Sequence, residues 1–269
     1  MHIVPLGFEI DRAVVPFEKF PANRVYLLVT PEEPDYPEEK KEQLHCLNEV
    51  VRKLKEKKIE VITMEVDCFD IKELMNTVSS LILQEKEKKN VVYVNMSAGG
   101  KLSAVGASLA AMAHNAKVYY ASASGYSKTD QDRKQHGLAI CLKPEGMILE
   151  NFQIKLPEEA GKIVLTSIWQ NNKKSMNTEE ILTLLISKGI EIFVDEKKAR
   201  SREEQRRVQQ KNRVNLNKNV LDKLERNDYI KREKIGRLNK ISLTESGEYM
   251  ANIIGTTGLN NAIETQRVR

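Results

Sequence analysis

One stretch, residues 91–111, constrains the fold more than any other part of the sequence. It reads VVYVNMSAGGKLSAVGASLAA, in which a short β-branched run is followed by small turn-forming residues and then by an alanine-rich segment. This order is typical of a buried strand, a glycine turn and a helix. Because the first N–H groups of a helix lack intrahelical partners, an anionic group is favoured at such a turn, and Gly99 and Gly100 let it approach the main chain.

Three side chains of the same turn can add to an anion site. Asn95 offers an amide, Ser97 a hydroxyl and Lys101 a positive charge. The alternative is that the two glycines only form a tight strand-to-helix connection. The turn alone leaves both interpretations open.

The stretch belongs to a longer alternation of strands and helices. Apolar runs predict five strands, at residues 3–8, 24–29, 59–66, 91–94 and 117–121. The segments between them predict helices, of which residues 38–57 present Leu44, Leu47, Val51 and Leu54 as an apolar face. This alternation predicts an α/β fold with a Rossmann-like, doubly wound and mostly parallel sheet.

In such sheets, ligands bind outside the carboxyl ends of the strands, where the strand order reverses. Polar residues follow three of the predicted strands, which makes these strand ends the candidate ligand site. The candidates are Gly7, Asp11 and Arg12 after the first strand, residues 95–101 after the fourth, and Ser124 after the fifth. Asp11 and Arg12 are equally well interpreted as a helix cap and a surface charge. The first strand is not followed by GxGxxG, which argues against NAD.

Cysteine and histidine usage argues against a metal or a disulfide framework. The three cysteines are widely separated and form no CxxC pair, and the four histidines show no HxH or HxxxH spacing. We therefore expect no metal and no cofactor. No apolar run approaches the roughly 18 residues of a membrane span, and the first residues do not resemble a signal peptide, so we expect a cytoplasmic protein without membrane contact.

The net charge of +5 is unevenly distributed along the chain. Residues 151–269 contain 23 Lys and Arg against 16 Asp and Glu, whereas residues 1–150 contain 20 against 22. A basic excess confined to one half is typical of a nucleic-acid-binding domain.

The second half predicts helices and a basic hairpin in a recognisable order. Pro157 marks the boundary and opens a helix through Trp169. Asn177 or Thr178 caps a second helix, with Glu180 in capping-box position relative to Asn177. The basic segment 197–213 then leads into a polar-faced helix, and two short strands flank a basic turn. This order resembles a winged helix-turn-helix of bacterial and archaeal regulators.

The resemblance implies DNA contacts from the recognition helix and the wing. By position, these are Arg213, Asn215, Asn217 and Lys218 on the helix, and Arg237 and Lys240 on the wing. Two alternatives remain, namely that residues 197–213 form a solvated, partly disordered arm, or that the winged helix mediates protein contacts only.

Both halves together suggest a family. Residues 95–101, Asn-Met-Ser-Ala-Gly-Gly-Lys, resemble the N-x-[ST]-x-G-[GT]-K-like motif of CRISPR-associated Rossmann-fold (CARF) domains, and residues 7–12 lie where their first-strand motif lies. With the joined winged helix, the chain resembles the archaeal CARF transcriptional regulators of CRISPR-linked antiviral defence. The resemblance implies a CARF-like domain over residues 1–152, a winged helix over 157–255 and a tail over 256–269.

The resemblance also implies a ligand and an assembly. Proteins of this family form homodimers that hold a cyclic oligoadenylate, usually the tetra-adenylate, between paired CARF domains. Carried over to this sequence, the ligand-binding residues are Asn95, Ser97, Ala98, Gly99, Gly100 and Lys101, with Gly7, Asp11, Arg12 and Ser124 lining the site.

The leading hypothesis is a ligand-responsive transcription regulator, and it leaves enzymatic activity open. One alternative is a ring nuclease that opens its own cyclic ligand, in which Lys101 and Ser97 act on the phosphate. No histidine-centred acid–base pair is evident in the sequence to support it. A third reading is a regulator that senses another nucleotide and has no connection with CRISPR.

Overall fold

The structure is a computed structural model that describes residues 1–31, 37–143, 146–150, 152–171, 174–196, 200–235 and 238–255. The chain divides into two compact units. The first contains residues Met1–Ile154 and Gly255, and the second contains Lys155–Ile254.

The first unit is built on a six-stranded sheet in the order β3-β2-β1-β4-β5-β8. Its first five strands are parallel, and β8 pairs antiparallel with β5. The sheet strands are β1 (His2–Pro5), β2 (Arg24–Val29), β3 (Glu60–Glu65), β4 (Tyr93–Asn95), β5 (Lys117–Ala121) and β8 (Gly146–Ile148). The predicted mostly parallel, Rossmann-like sheet is confirmed.

Five helices and a small hairpin accompany the sheet. The helices are α1 (Asp11–Val14), which continues into a 3₁₀ turn at Val15–Glu18, α2 (Pro37–Glu56), α3 (Ile71–Glu87), α4 (Lys101–Ala113) and α5 (Asp130–His136). The hairpin pairs β6 (Gly125–Tyr126) with β7 (Ala139–Ile140). The Asp70 side chain caps α3 by accepting from the N–H groups of Lys72 and Glu73.

Helices cover both faces of the sheet, and alternate residues of each strand point to opposite faces. On one face, Ile3 and Val94 pack in one apolar cluster with α3 and the small residues of α4. On the other face, Val4 and Leu27 pack with α1 and α2. Ala107, Ala110 and Ala111 are fully buried, which allows α4 to pack close to its neighbours.

His2, the ionisable residue of β1, is fully buried. Its Nε2 lies 2.9 Å from the Phe20 carbonyl oxygen, which can only accept, so Nε2 carries the proton. Its Nδ1 therefore accepts from the Tyr119 hydroxyl, 3.0 Å away. Burial, together with the charge of the nearby amino terminus, lowers the pKa of the His2 imidazole to about 3.

Glu85, on the last turns of α3, is a fully buried carboxylate. It accepts from Tyr26, Lys88 and Asn90, and it pairs with Arg24 at 3.1 Å. Burial alone would raise the pKa of Glu85, but these hydrogen bonds hold it below its ordinary value. The charged carboxylate therefore fixes the end of α3 to the sheet.

One prediction for the first unit was wrong in detail. Leu44 was placed on the buried face of α2, but it is 48% exposed, and the buried residues Cys46, Val50 and Leu54 follow at intervals of four. The polar segment that follows Tyr126 contains α5. Thr129 begins that helix through a capping box with Asp132.

The second unit has the element order of a winged helix. Its elements are α6 (Glu159–Gln170), β9 (Ser175–Asn177), α7 (Thr178–Ser187), α8 (Arg202–Asn215), α9 (Asp222–Arg226), β10 (Ile230–Ile235), β11 (Leu238–Leu243) and α10 (Glu245–Ile254). The strands form a sheet in the order β10-β11-β9, in which β9 pairs antiparallel with β11. The sequence predicted the hairpin and the Asn177–Glu180 capping box, and it missed β9.

The third helix of this unit is longer than predicted. A π-helical turn at Leu216–Leu221 connects α8 to α9, so the helix continues from residue 202 to residue 226. The interpretation of residues 197–213 as a disordered arm is wrong for residues 202–213, which are helical. Ser201 caps the helix by accepting from the Glu204 N–H at 3.1 Å.

Candidate ligand site and nucleic-acid interface

The predicted ligand turn lies where the strand order of the sheet reverses. β1 lies between β2 and β4 in the sheet. The connections that follow β1 and β4 therefore diverge at this switch point. The N–H group of Gly7 donates to the Ala98 carbonyl at 2.9 Å, which joins the segments after these two strands. The structure therefore brings Gly7 and residues 95–101 together.

Asn95 is fully buried, and its side-chain amide is used inside the protein. Its Nδ2 donates to the Arg12 carbonyl at 2.8 Å, and its Oδ1 accepts from the Ser97 N–H at 2.8 Å and from the Ser97 hydroxyl at 2.7 Å. These bonds shape the turn. The Asn95 side chain thus positions the turn, and its expected contact with a ligand stays a prediction.

Ser97 is also engaged within the turn. Its hydroxyl donates to Asn95 and accepts from the Ala121 N–H at 3.0 Å, and the residue is 5% exposed. The proton of this hydroxyl is therefore already used in a hydrogen bond within the turn. Ala98 is 1% exposed and belongs to the apolar core, so only its carbonyl, which holds Gly7, takes part in the turn.

Gly99 is required by close packing. A Cβ at this position would lie 3.1 Å from the Pro5 carbonyl oxygen and 3.2 Å from the Cβ of Ser103. Both distances are tighter than ordinary contacts, so a side chain here would push the turn away from β1. The absence of a side chain keeps the start of α4 against the end of β1.

The accessible part of the turn is the beginning of α4. Gly100 is the N-cap residue and has no side-chain cap, and both Gly100 and Lys101 are exposed. Within the described ranges, the N–H groups of Lys101 and Leu102 have no hydrogen-bond acceptor, and the Lys101 side chain has no ion pair. The N-terminal end of this 13-residue helix thus combines free N–H groups, the positive end of the helix dipole and a lysine.

Asp11 and Arg12 lie in a buried polar network. Arg12 donates to Glu9 at 3.0 Å and to the Tyr120 hydroxyl at 3.1 Å, and its Nε is buried without a partner among the described residues. Burial raises the pKa of Glu9, although the Arg12 charge opposes this. Arg12 is 9% exposed, so it is not the surface charge that the alternative interpretation assumed. Asp11 is not a helix cap either, because the N-cap residue of α1 is Ile10 and no side chain caps that end.

Asp11 forms an acid–base pair that the sequence did not show. Its Oδ2 lies 2.8 Å from Nδ1 of His136, and it also accepts from the Cys141 N–H at 3.0 Å. The two residues are 125 positions apart, which is why no spacing revealed them. The capping box of α5 was the available signal that His136 ends an ordered helix.

Ser124 is exposed and lies in the segment that follows β5. Its hydroxyl accepts from the Leu142 N–H at 3.1 Å, and its own N–H donates to the Ile140 carbonyl. Ser124 therefore supports the small hairpin of β6 and β7. No contact of the described residues places Ser124 against residues 95–101.

The predicted DNA-binding residues differ in how free their side chains are. Asn217 and Lys218 are exposed and without a hydrogen-bond or ion-pair partner among the described residues, and Lys240 is exposed on β11. Arg213 pairs with Glu179 at 2.8 Å, and Asn215 donates to the Ile192 carbonyl at 3.0 Å. Asn215 therefore fastens the segment before α8, and Arg237 lies outside the described residues.

The described residues contain neither a metal-binding cluster nor a membrane-spanning helix. Across the part of the chain that the structure describes, no three His, Cys, Asp or Glu side chains are grouped as a metal site would require. No helix within the same ranges combines the length and the apolar character that a bilayer crossing needs.

The two units define a two-domain protein in which a Rossmann-like α/β domain is joined to a winged helix domain. Comparison with known families agrees with this division. Residues 161–255 match the family described as DUF6293 C-terminal winged helix domain. Residues 1–126 match the family described as HFX_2341_N-like, N-terminal. This architecture is the one implied by the resemblance to CARF domains fused to a winged helix.

Individual relatives are distant. The chain is 23% identical over 206 residues to the uncharacterized protein MJ1513 of Methanocaldococcus jannaschii, covering 68% of this chain and 60% of that protein. Among solved structures, it is similar to Can2 from Sulfobacillus thermosulfidooxidans in complex with cyclic tetra-adenylate, with 15% identity, a TM-score of 0.37 and coverage of 93% and 63% of the two chains.

Two further solved structures show the same low level of similarity. Protein VC1899 from Vibrio cholerae has 11% identity and a TM-score of 0.39, covering 94% of this chain and 64% of its own. Enterococcus italicus Csm6, bound to cyclic hexa-2′-fluoro-hexa-dAMP, has 12% identity and a TM-score of 0.36, covering 84% and 54%. The chain thus spans about 60% of the length of the relatives that it matches.

Proposed function

We propose that this protein is a ligand-responsive transcription regulator. The first domain binds a phosphate-bearing ligand, and the winged helix binds DNA. The observation that carries the proposal is the turn at the switch point, where Gly7 is bonded to Ala98 and the free N-terminus of α4 is exposed beside Lys101. Free helix N–H groups with an adjacent lysine are suited to a phosphate group.

We infer that the ligand is a cyclic oligoadenylate, with cyclic tetra-adenylate as the leading candidate. The support is the resemblance of residues 95–101 to the CARF motif, together with the phosphate-binding chemistry of the exposed turn. The same resemblance supports a homodimer in which two first domains share the ligand. Ligand binding changes DNA affinity only if the two arrangements of the dimer differ in their affinity for the ligand.

Isothermal titration calorimetry of the full chain against cyclic tetra-adenylate tests the ligand. Lys101→Ala should weaken binding by about tenfold or more, because it removes the one mobile charge at the turn. Lys55→Ala is the matched control, since Lys55 is an exposed lysine near the end of α2. No heat at high micromolar ligand would overturn this ligand, and equal losses in both variants would overturn the site.

A titration series separates the leading proposal from its nearest alternative. Cyclic tri-, tetra- and hexa-adenylates and linear adenylates are compared with cyclic dinucleotides on the same protein. Binding of a cyclic dinucleotide in preference to every oligoadenylate would favour the regulator without a connection to CRISPR.

A second candidate function, cleavage of the cyclic ligand, is favoured by the pair of His136 and Asp11. Asp11 can hold the Nδ1 proton of His136, which leaves Nε2 free to accept a proton. In such cleavage, a ribose 2′-hydroxyl attacks the adjacent phosphorus and loses its proton. The bond to the 5′-oxygen breaks, that oxygen takes up a proton, and a 2′,3′-cyclic phosphate remains.

The hydrogen bonds of Ser97 change the roles that we expect of Ser97 and Lys101 in this second candidate function. The hydroxyl proton of Ser97 is committed to Asn95, so Lys101 is left as the group that can stabilise charge on the phosphate. Incubation with labelled cyclic tetra-adenylate and chromatography tests cleavage. His136→Gln should abolish product, whereas His114→Gln, at the C-terminal end of α4, should not. Product formation unaffected by His136→Gln would exclude this base.

A further inference from the structure

The third helix of the winged helix domain has two halves of different character. Its C-terminal half is anchored in the apolar core by Leu216, Val220 and Leu224, each at most 3% exposed. In the N-terminal half, residues 202–215, only Asn212 is buried. This half is polar and basic, and it carries many exposed side chains that have no role in the core.

Besides the buried Leu221, five residues on the inward side of this helix recur at an interval of four. They are Val208, Asn212, Leu216, Val220 and Leu224. In an α-helix, an interval of four advances by about 40° beyond a full turn, so the five positions would drift by about 160°. The π-helical turn at Leu216–Leu221 adds one residue to a turn and removes about 100° of this drift.

The π-helical turn therefore fixes the rotation of the N-terminal half relative to the anchored half. Asn212 faces inward, where its amide donates to the Val194 carbonyl at 2.8 Å and accepts from the Val194 N–H at 3.1 Å. Positions on one outward side of the helix then follow at intervals of four, three and four. They are Arg206, Gln210, Arg213 and Asn217, all of them exposed.

Pairing distinguishes Arg206 of this row from Arg207 on the neighbouring side. Glu203 lies at the N-terminal end of the same row, three residues before Arg206, and it holds Arg207 in an ion pair at 2.6 Å. Arg206 and Gln210 have no partner among the described residues. Arg213 pairs with Glu179 in the first turn of α7, so the row passes the N-terminus of the preceding helix. That side of a helix-turn-helix meets the DNA backbone.

We propose that the π-helical turn selects the DNA-reading face of this helix, and that Arg206 and Gln210 are its base-reading residues. The inference rests on the proposed binding of DNA. An arginine in this position suits the O6 and N7 acceptors of guanine, and a glutamine suits N6 and N7 of adenine. An unbroken α-helix anchored by Val220 and Leu224 would be rotated by about 100°, which would bring Arg207 to the place of Arg206.

Adjacent arginines therefore provide a matched test. The full-length protein is first used to select bound sequences from a library of random duplexes, and affinities are then measured by fluorescence anisotropy at fixed salt. Arg206→Ala should weaken binding to the selected duplex by about tenfold or more, whereas Arg207→Ala, with the same change in charge, should weaken it by less than about threefold. Circular dichroism verifies that both variants are folded.

Base preference gives the second readout. Repeating the selection with Gln210→Ala should relax the preference at one base pair and leave the others unchanged. Equal losses for the two arginine variants, a larger loss for Arg207→Ala, or an unchanged selection with Gln210→Ala would overturn the assignment. If the wild-type protein binds no duplex, the proposed DNA binding itself is wrong and this inference falls with it.

Discussion

Replacement of Asn95 by leucine tests the positioning role of its buried amide. Leucine has a similar volume but cannot form the amide's hydrogen bonds, so the Arg12 carbonyl and the Ser97 N–H lose their partner in a buried place. Each buried group left unpaired costs about 1–3 kcal/mol. The loss should therefore be about 4 kcal/mol, which for a domain of this size lowers Tm by about 8–16 °C.

Differential scanning calorimetry of the full chain measures this change. Ser124→Ala is the control, because it removes one side-chain hydrogen bond from an exposed residue and should lower Tm only slightly. The reasoning is refuted if Asn95→Leu melts within about 2 °C of the wild type and yet loses ligand binding as completely as Lys101→Ala does. That combination would mean that the amide contacts the ligand and does not hold the turn.

Four other buried features give predictions of stability. Because the folded pKa of His2 is about 3 against an ordinary 6.5, stability should fall by about 1.4 kcal/mol per pH unit between pH 6.5 and about pH 3, and His2→Phe should flatten this pH dependence in urea unfolding. Glu85→Gln should cost about 2 kcal/mol, measured in the same way at pH 7. Gly106→Val should cost about 1–3 kcal/mol in thermal unfolding, since its Cβ would lie 3.1 Å from Ile71. Asn212→Leu should lower the melting temperature of the winged helix through two lost hydrogen bonds, worth about 2 kcal/mol.

The fold of the first domain was predictable because strand burial on both faces leaves a plain signal. Runs such as residues 24–29 contain no polar alternation, and the observed β2 has the predicted bounds. The buried face of α2 was harder to predict, because Leu44 and Cys46 lie only two positions apart and apolarity alone does not decide between them. The packing of α2 against β2 determines which of these two residues is buried.

The candidate site was predictable in position but not in detail. The switch point follows from topology, so Gly7 and residues 95–101 were correctly expected to lie together. Which side chains face a ligand depends on hydrogen bonds between distant segments, such as that of Asn95 with Arg12. The pair of Asp11 and His136 has the same origin, since only the folded chain brings these segments together.

The third helix of the winged helix shows a different limit of sequence reasoning. Residues 202–213 lack an apolar stripe, and a polar segment without periodicity is ordinarily interpreted as loop. The helix forms because it continues from an anchored segment and begins at Ser201, which caps it. The interval of four from Val208 to Leu224 was present in the sequence, and it indicates the wide turn only when it is measured against 3.6 residues per turn.

The internal use of the polar side chains narrows what the first domain can recognise. Asn95 and Ser97 are bonded within the turn, and Arg12 is bonded to Glu9 and Tyr120, so the free groups are main-chain N–H donors and Lys101. These groups attract a phosphate and do not distinguish one nucleobase from another. Discrimination among bases therefore requires groups from outside this turn. The proposed pairing of two first domains around one ligand would supply them, and it predicts that base specificity is lost in any variant that binds ligand as a monomer.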